Sequence, residues 1–389
     1  MKRLPAIGIT CYPSQGGSGI VATELGLNLA RSGYAVHFIC ASLPLRLRQY
    51  QKNVFYHEVE VADYPVFQYP PYTLSLATAM AETAQKHALD ILHVHYAIPH
   101  AASGYLARQM VGGDRLKLIT TLHGTDITLV GQEPAFFPIT RFLIEQSDAV
   151  TAVSGFLARE TRKVFGVDRS IEVIPNFVDT RRFRPVERSH ARRRFAADGE
   201  ALIIHASNFR PVKNLPAVLE VFARVAARRP ARLLLLGDGP QREPALAQAR
   251  ALGVAERVAA PGLVEDLDAL LPLGDLLLLP SHHESFGLVA LEAMSCGVPV
   301  IATSRGGTDE FIDDGVNGYL RDPDDVAGMA EVALLVLGDP ALHRHLAEEA
   351  RRDAVASFGA RCVLQRYVEL YDRVLGGGGG PAGPAGPAS

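Results

Sequence analysis

The sequence predicts an α/β protein with two domains, each built on a parallel β-sheet. Short apolar runs alternate with amphipathic stretches along the chain, a pattern typical of parallel sheets covered by helices. The 389 residues are enough for two separate cores. A break at residues 175–179, followed by a basic stretch at 181–194, separates the two halves.

The predicted strands are the short apolar runs that turn residues bound on either side. In the first half they lie at residues 6–11, 36–41, 91–94, 116–122, 149–153 and 171–174. In the second half they lie at 202–206, 233–236, 276–279 and 298–302.

These elements place a first domain at residues 1–178 and a second at 179–358. Apolar residues at helical spacing then predict a last amphipathic helix at 359–375 that packs on another element. The Gly/Pro/Ala tail at 376–389 has no large apolar residue, and we expect it to be disordered.

Composition narrows the class of protein. A net charge of -3 argues against general nucleic-acid binding, which requires a strong basic excess. No apolar run approaches the ~20 residues of a membrane span, and the N-terminus moves into a strand without a signal-peptide core.

The cysteines lack paired spacing, which suits free thiols in a cytoplasmic protein. They are Cys11, Cys40, Cys296 and Cys362.

Two glutamates eight residues apart form the strongest local pattern. Glu284 follows the strand at 276–279, and Glu292 lies in the helix after it, for which Ser285 is a candidate N-cap and Gly297 a candidate C-cap. Chance also supplies such pairs, and Glu292 must either face solvent or be held by a partner. Three N–H groups at the helix start would attract phosphate. They belong to Phe286, Gly287 and Leu288.

A glycine-rich turn joins the first strand to a helix that runs from about Ile20 to Arg31. Gly16 and Gly17 would let the backbone approach a ligand closely at a helix start, which favours an anion. Such turns are common, so the signal alone is weak. The turn matches neither the dinucleotide pattern nor a Walker loop, and a sugar nucleotide is therefore a better candidate than nicotinamide or ATP.

Two cations follow the first strand of the second domain. Arg210 and Lys213 are three residues apart in a loop and could neutralise a diphosphate, one by a bidentate fork and one as a point charge. Alternatively, Arg210 and Lys213 could be exposed residues of a solvated loop without a binding role, since Arg and Lys are common at such positions. Their expected position with Glu284 at the carboxyl ends of strands, where such folds bind ligands, favours the functional interpretation.

Metal binding receives little support. The candidates are His93, His95 and His100, and the Asp-x-Asp pairs Asp266/Asp268 and Asp322/Asp324. The aspartates precede predicted helices at Leu267 and Val326, where capping is the simpler explanation. No zinc motif is present. Because Arg210 and Lys213 can neutralise a diphosphate, we expect neither a metal nor another cofactor.

Together these motifs resemble the retaining glycosyltransferases of the GT-B fold, a family that includes glycogen synthases and mannosyltransferases. The resemblance runs from residue 1 to about 375 and rests on Gly16 with Gly17, Arg210 with Lys213, and the Glu284/Glu292 pair. It implies two Rossmann-like domains whose parallel sheets face each other across a cleft. It also implies a C-terminal helix that packs back toward the N-terminal domain.

Segments 11–26, 93–101 and 120–128 are similar to the N-acetylglucosaminyl L-malate synthases of bacillithiol biosynthesis. This resemblance implies transfer of N-acetylglucosamine from UDP-GlcNAc to the hydroxyl of L-malate, with retention of the α configuration. UDP-GlcNAc is then a donor substrate rather than a cofactor. A homodimer would be unsurprising, and neither a nucleic acid nor a membrane partner is expected.

The resemblance also implies roles for single residues. Glu292 would hold the ribose of UDP, Glu284 would face the donor sugar, and His123 would lie beside it. Arg210 and Lys213 would stabilise the charge that grows on UDP. Backbone groups would contact the sugar, the diphosphate and the uracil. They belong to Gly16, Gly17, Phe286, Gly287, Leu288 and, for the uracil, Val264.

For malate, the family pattern implies Ser18, Tyr96, Thr121 and Arg141. Arg141 could instead form a surface ion pair with Glu145, four residues later on a helix. The malate hydroxyl would attack the face that UDP leaves, and the sequence leaves a short-lived covalent intermediate open.

Two further functions remain compatible with these motifs. A glycosyltransferase with a lipid or polysaccharide acceptor is one, and the basic-apolar stretch at 43–48 could then contact lipid. A sugar-nucleotide epimerase, or a binder without turnover, is the other.

Overall fold

The structure is a computed structural model that describes residues 3–13, 17–47, 49–61, 68–113, 115–187 and 189–376. The chain divides into two compact units, one comprising residues 1–175 and 363–389 and the other residues 176–362. Residues 377–389, which include all but the first residue of the tail predicted at 376–389, lie outside the described residues.

The first unit contains a seven-stranded sheet in the order β3-β2-β1-β4-β5-β6-β7, and every neighbouring pair is parallel. Its strands are β1 (Ala6–Thr10), β2 (Ala35–Cys40), β3 (Val54–Glu58), β4 (Ile91–His95), β5 (Lys117–Leu122), β6 (Ala149–Ala152) and β7 (Glu172–Val173). The central strands β1 and β4 are buried throughout, whereas β3 at the edge is partly exposed.

The second unit contains a six-stranded parallel sheet in the order β10-β9-β8-β11-β12-β13. Its strands are β8 (Ala201–Ala206), β9 (Ala231–Leu236), β10 (Val258–Gly262), β11 (Leu276–Leu279), β12 (Val300–Thr303) and β13 (Tyr319–Arg321). The prediction of two parallel-sheet α/β domains is therefore confirmed. Each predicted strand is present with its ends within two residues, while β3, β10 and β13 were missed.

Helices cover both sheets. In the first unit they are α1 (Gly17–Arg31), α2 (Tyr72–His87), α3 (Ala102–Met110), α4 (Thr125–Thr128), α5 (Phe137–Gln146) and α6 (Gly155–Phe165). In the second they are α7 (Ser189–Arg192), α8 (Leu215–Ala226), α9 (Arg242–Ala251), α10 (Leu267–Leu270), α11 (Leu288–Ser295), α12 (Val326–Gly338) and α13 (Pro340–Phe358). The last helix, α14 (Ala360–Leu375), starts in the second unit and from Val363 onward belongs to the first.

The apolar face of α14 explains this return to the first unit. Val363, Tyr367, Leu370 and Tyr371 recur at helical spacing and are all buried. The hydroxyl of Tyr371 shares a hydrogen bond of 2.7 Å with Nδ1 of His93 on β4. The helix therefore supplies both apolar packing and a polar partner to the middle of the first sheet.

The start of α11 differs from its prediction. Gly287, with φ 94°, is the N-cap, so the helix begins at Leu288 and Ser285 does not cap it. The predicted C-terminal signal is confirmed, because Gly297 has φ 69° and follows the last turn. The N–H groups of Gly297 and Val298 donate to Met294 and Ala293, which closes the helix in a Schellman motif.

Two of the four cysteines lie side by side. Cys11 follows β1, Cys40 ends β2, and both are free and fully buried. The hydrogen bond between their thiols raises the pKa of Cys11 and lowers that of Cys40. Sequence spacing did not reveal this contact, since it depends on the parallel pairing of β1 with β2.

Among the described residues, no single helix has both the length and the apolar character needed to cross a membrane. Helices α12 and α13 reach that length and apolar character only when taken together, and the chain bends by 101° between them.

Candidate functional site

Polar and aromatic side chains cluster at the carboxyl ends of the central strands in the first unit. Tyr12 follows β1, Tyr96 follows β4, His123 follows β5, and Ser18 lies in the first turn of α1. The Tyr96 hydroxyl donates to Oγ of Ser18 at 2.8 Å, and its ring centroid lies 5.3 Å from that of His123. This edge is where open parallel sheets bind ligands.

Two histidines of β4 support this cluster. His93 and His95 stack on one face of β4, with ring centroids 4.7 Å apart. Nδ1 of His95 lies 2.8 Å from Nε2 of His123, which ties β4 to the turn after β5. Nε2 of His93 lies 2.7 Å from Oγ1 of Thr121. The imidazole of His123 is therefore oriented by a buried polar network.

Burial keeps these imidazoles neutral. It lowers the pKa of His93 and of His123 to about 3, that of His100 to about 4, and that of His95 well below its ordinary value. Neighbouring histidines lower the pKa of His93, His95 and His123 further. At neutral pH, His123 can therefore offer a ligand a neutral hydrogen-bonding group but no positive charge.

Asp126 shapes the turn that carries His123, and sequence reasoning missed it. Its buried carboxylate accepts hydrogen bonds from the N–H groups of Ala97 (3.0 Å), Gly124 (3.0 Å) and His123 (3.3 Å). Burial raises its pKa, and these backbone hydrogen bonds oppose the rise. The signal was a lone aspartate four residues after the end of β5, whose partner Ala97 is remote in sequence.

The structure brings only some of the predicted malate residues together. Ser18 and Tyr96 are in contact, as described above. Thr121 is fully buried, and its hydroxyl bonds to His93 and to Thr151 at 2.7 Å each, so it orders the network instead of presenting a free hydroxyl. Arg141, about half exposed on α5, forms the ion pair with Glu145 at 3.1 Å that its helical spacing allowed.

The predicted glycine turn is only partly described. Gly17 is the first residue of α1 and is exposed. Gly16 lies outside the described residues.

In the second unit, a buried ion pair lies beyond the carboxyl ends of β8 and β11. Nζ of Lys213 is 2.5 Å from Oε1 of Glu284, whose side chain is only 9% exposed. The Ser281 hydroxyl donates to the same oxygen at 2.8 Å. Arg210 stands apart from this pair: it is exposed, and its guanidinium has no hydrogen bond or ion pair within the part of the chain that the structure describes.

The backbone around Glu284 leaves it little freedom. Its N–H donates to Arg305 at 3.2 Å, and its carbonyl accepts from Gly307 at 2.9 Å. Gly306 has φ 130°, and a Cβ there would meet the Glu284 carbonyl oxygen at 1.9 Å. Only glycine lets these two segments approach so closely.

The remaining predicted donor residues surround the start of α11 and the end of β10. Glu292 is buried, at 6% exposure, so it does not face solvent. Phe286 stacks on Phe311 with ring centroids 4.9 Å apart, which anchors the segment before Gly287 and Leu288. Val264, partly buried, follows Gly262 at the end of β10.

The capping interpretation of the Asp-x-Asp pairs is wrong. Asp268 pairs with Arg182 at 2.6 Å, and Asp322 and Asp324 pair with Arg305 at 2.8 and 2.9 Å. Asp266 precedes α10 without a side-chain capping bond, and α12 is capped by Asp325 instead. Their partners are remote in sequence, which is why local spacing suggested caps.

Comparison with known proteins covers both units. The family model of the Glycosyltransferase Family 4 matches residues 15–182, and that of the glycosyl transferases group 1 matches residues 187–353. The chain is 47% identical to the N-acetyl-alpha-D-glucosaminyl L-malate synthase of Bacillus anthracis, over 95% of this chain and 97% of that protein. It is 34% identical to a D-inositol 3-phosphate glycosyltransferase of Geodermatophilus obscurus, over 74% and 68%.

Among solved structures, HepE of Anabaena in complex with UDP-glucose superposes with a TM-score of 0.82 at 21% identity. The match covers 94% of this chain and 99% of that one. At this identity the likeness shows the fold alone.

The neutral histidines predict a specific acid sensitivity. In the unfolded chain a histidine binds its proton near pH 6.5, whereas His93 and His123 bind theirs near pH 3 when folded. The unfolded state therefore holds more protons between these values. The free energy of unfolding should fall with falling pH in that window, by roughly 1.4 kcal/mol per pH unit for each such histidine.

Urea unfolding at several pH values between about 4 and 7 measures this slope. His123→Asn should reduce the slope of the unfolding free energy against pH by the contribution of one bound proton, roughly 1.4 kcal/mol per pH unit. His345→Asn, at an exposed position of α13, should leave the slope unchanged. A slope in His123→Asn equal to that of the parent chain would contradict this account.

Proposed function

The chain belongs to the family of GT-B glycosyltransferases that includes N-acetyl-alpha-D-glucosaminyl L-malate synthase, and from this premise we propose that it transfers N-acetylglucosamine from UDP-GlcNAc to the hydroxyl of L-malate. The observation that carries the proposal is the 47% identity to that synthase over 95% of the chain. Because both units are covered, the similarity includes the residues that would bind donor and acceptor. The product would be N-acetyl-alpha-D-glucosaminyl L-malate, the first intermediate of bacillithiol biosynthesis.

The second unit would bind the donor. Glu292, buried in α11, would accept hydrogen bonds from the ribose hydroxyls, and Val264 would border the uracil. Glu284 would face the N-acetylglucosamine through Oε2, because Lys213 and Ser281 occupy Oε1. The exposed guanidinium of Arg210 and the ammonium of Lys213 would neutralise the diphosphate as negative charge develops on it.

Backbone groups would complete the donor site. The positive φ of Gly287 leaves the N–H groups at the start of α11 available for an anion. We assign this contact to Phe286, Gly287 and Leu288, together with Gly16 and Gly17 in the first unit.

The first unit would bind malate. Ser18 and Tyr96, already hydrogen-bonded to each other, would turn to a malate carboxylate, and Arg141 would reach it only by releasing Glu145. Thr121 would act by holding His93 and, through the stacked rings, His95. Neutral His123 would donate a hydrogen bond to the sugar.

We favour attack on the face that UDP leaves. The bond between the anomeric carbon and the diphosphate oxygen would break, the malate oxygen would bond to that carbon, and the malate proton would pass to the departing phosphate oxygen. A covalent intermediate requires a free carboxylate. Asp126, the buried carboxylate in the turn of His123, uses both oxygens on backbone N–H groups, which supports the direct route.

With two cations assigned to the diphosphate, the proposed reaction requires no metal and no further cofactor. A cytoplasmic location, the absence of a membrane partner and formation of a homodimer remain predictions from the sequence.

A lipid acceptor receives less support. In the basic-apolar stretch at 43–48, Arg46 is partly buried and lies 3.7 Å from Glu24, so its charge is directed toward α1. Arg48 lies outside the described residues.

An acceptor screen tests the proposal. Purified protein with UDP-GlcNAc should release UDP with L-malate and give little release with D-malate, inositol phosphate or no acceptor. Release that is equal in all four reactions would refute the malate assignment. UDP-GlcNAc consumption without any acceptor, yielding a second UDP-sugar, would indicate an epimerase.

The role of Arg210 has its own test. Arg210→Ala should lower kcat on the order of a hundredfold while changing UDP affinity little, because the guanidinium acts on charge that develops during bond cleavage. Arg228→Ala, which removes an exposed ion pair with Glu331 in the same unit, is the matched control and should leave kcat unchanged. An Arg210→Ala enzyme with unchanged kcat would show that Arg210 is only a surface charge.

A further inference from the structure

Three histidines converge at the other end of the first sheet. His37 lies on β2, His57 on β3 and His87 at the end of α2, and one ring nitrogen from each lies within 4.8 Å of the other two. His37 and His87 border a cavity lined in part by residues that precede β1 and β2, among them Leu4 and Gly33. Tyr96 and His123 follow the carboxyl ends of their strands, so this cluster is separate from the site described above.

We propose that His37, His57 and His87 form a binding site for a divalent transition metal, for which Zn²⁺ is the best match. The site takes no part in the proposed glycosyl transfer. It stands on the geometry of the three rings and on the access to a fourth ligand position.

The spacing of the rings fits a shared ion. A Zn–N bond of about 2.0–2.1 Å and a tetrahedral angle place the ring centroids of two ligating histidines roughly 5 Å apart. The three observed separations are 5.1 Å for His37 and His57, 4.6 Å for His37 and His87, and 5.2 Å for His57 and His87. All three sides of the triangle therefore match.

Hydrogen bonding alone explains the cluster poorly. Nδ1 of His37 lies 2.9 Å from Nε2 of His57, which satisfies one nitrogen of each ring. The imidazole of His87 has no hydrogen bond within the described part of the chain, although it lies against both other rings. An ion would give the third ring a bonding role and would replace the one His–His hydrogen bond by three coordinate bonds.

Two cationic side chains lie near the cluster. Arg3, at the cavity wall, is paired with Asp90. Lys86 precedes His87 in α2.

The ligand set also indicates the kind of ion and the kind of site. Imidazole suits Zn²⁺, Cu²⁺ and Ni²⁺, and hard oxygen-seeking ions such as Mg²⁺ are disfavoured. His37 is buried while His57 and His87 are only partly buried, so water can fill the fourth position from the cavity. Three histidine ligands and one water molecule complete the tetrahedral coordination of a zinc ion.

Titration of the chelator-treated full chain with Co²⁺ tests the proposal. We expect one Co²⁺ per chain with the d–d absorption of a tetrahedral site, displacement of Co²⁺ by Zn²⁺, and a Zn²⁺-dependent rise in Tm. The double variant His57→Gln/His87→Gln should bind Zn²⁺ at least about a hundredfold more weakly and should lose the rise in Tm. His345→Gln, exposed in the second unit, is the matched control and should bind as the parent does.

If the double variant does not fold, the single variant His87→Gln, at the end of α2, replaces it. We expect this variant to bind Zn²⁺ at least about tenfold more weakly than the parent chain. Absence of the tetrahedral Co²⁺ spectrum, or equal Zn²⁺ affinity in the parent and in His87→Gln, would overturn the proposal.

Discussion

The ion pair between Lys213 and Glu284 is the constraint around which the proposed donor site of the second unit is arranged. A carboxylate as buried as that of Glu284 would be strongly destabilising without a partner. Lys213 supplies the countercharge at 2.5 Å, and Ser281 adds a hydrogen bond. The loops after β8 and β11 must therefore lie together, and the N–H of His282 also donates to the carbonyl of Val212 at 2.8 Å.

This pair has consequences for chemistry as well as stability. Lys213 and Ser281 both bond to one carboxylate oxygen of Glu284, and in the proposed donor site the other oxygen would face the sugar. In the first unit, besides the Asp126 carboxylate that shapes the turn of His123, the equivalent order comes from neutral groups. Tyr371 and Thr121 hold His93, and His95 holds His123, so hydrogen bonds rather than charges orient the proposed acceptor site.

The sequence predicted well what depends on local patterns. The buried strands were found because their apolar runs are continuous, whereas β3, with Phe55 46% exposed, and the edge strands β10 and β13 carry no such signal. Ser285 was a reasonable cap by residue type, but the αL conformation of Gly287 moved the start of α11. The preference of serine for the N-cap position did not decide where α11 begins, because Gly287 adopts a backbone conformation that only glycine adopts readily.

Candidate site residues could be selected from the sequence, but their contact partners could not. Arg210, Lys213 and Glu284 were selected from their places after strands, yet nothing local indicated that Lys213 pairs with Glu284 while Arg210 stays exposed. The same limit applies to Asp126, to the Cys11–Cys40 contact and to the cluster of His37, His57 and His87. Each depends on which strands are neighbours in the sheet, and that is a property of the whole fold.

The central claim is that Lys213 and Glu284 act as one unit in the donor site, and a double-mutant cycle tests it most directly. Lys213→Met, Glu284→Gln and the double variant would be compared in kcat/KM for UDP-GlcNAc. We predict that the double variant is little worse than the more impaired single variant, with a coupling energy of at least about 1 kcal/mol. Losses that add to within about 0.5 kcal/mol would contradict the claim, because the two side chains would then contribute independently.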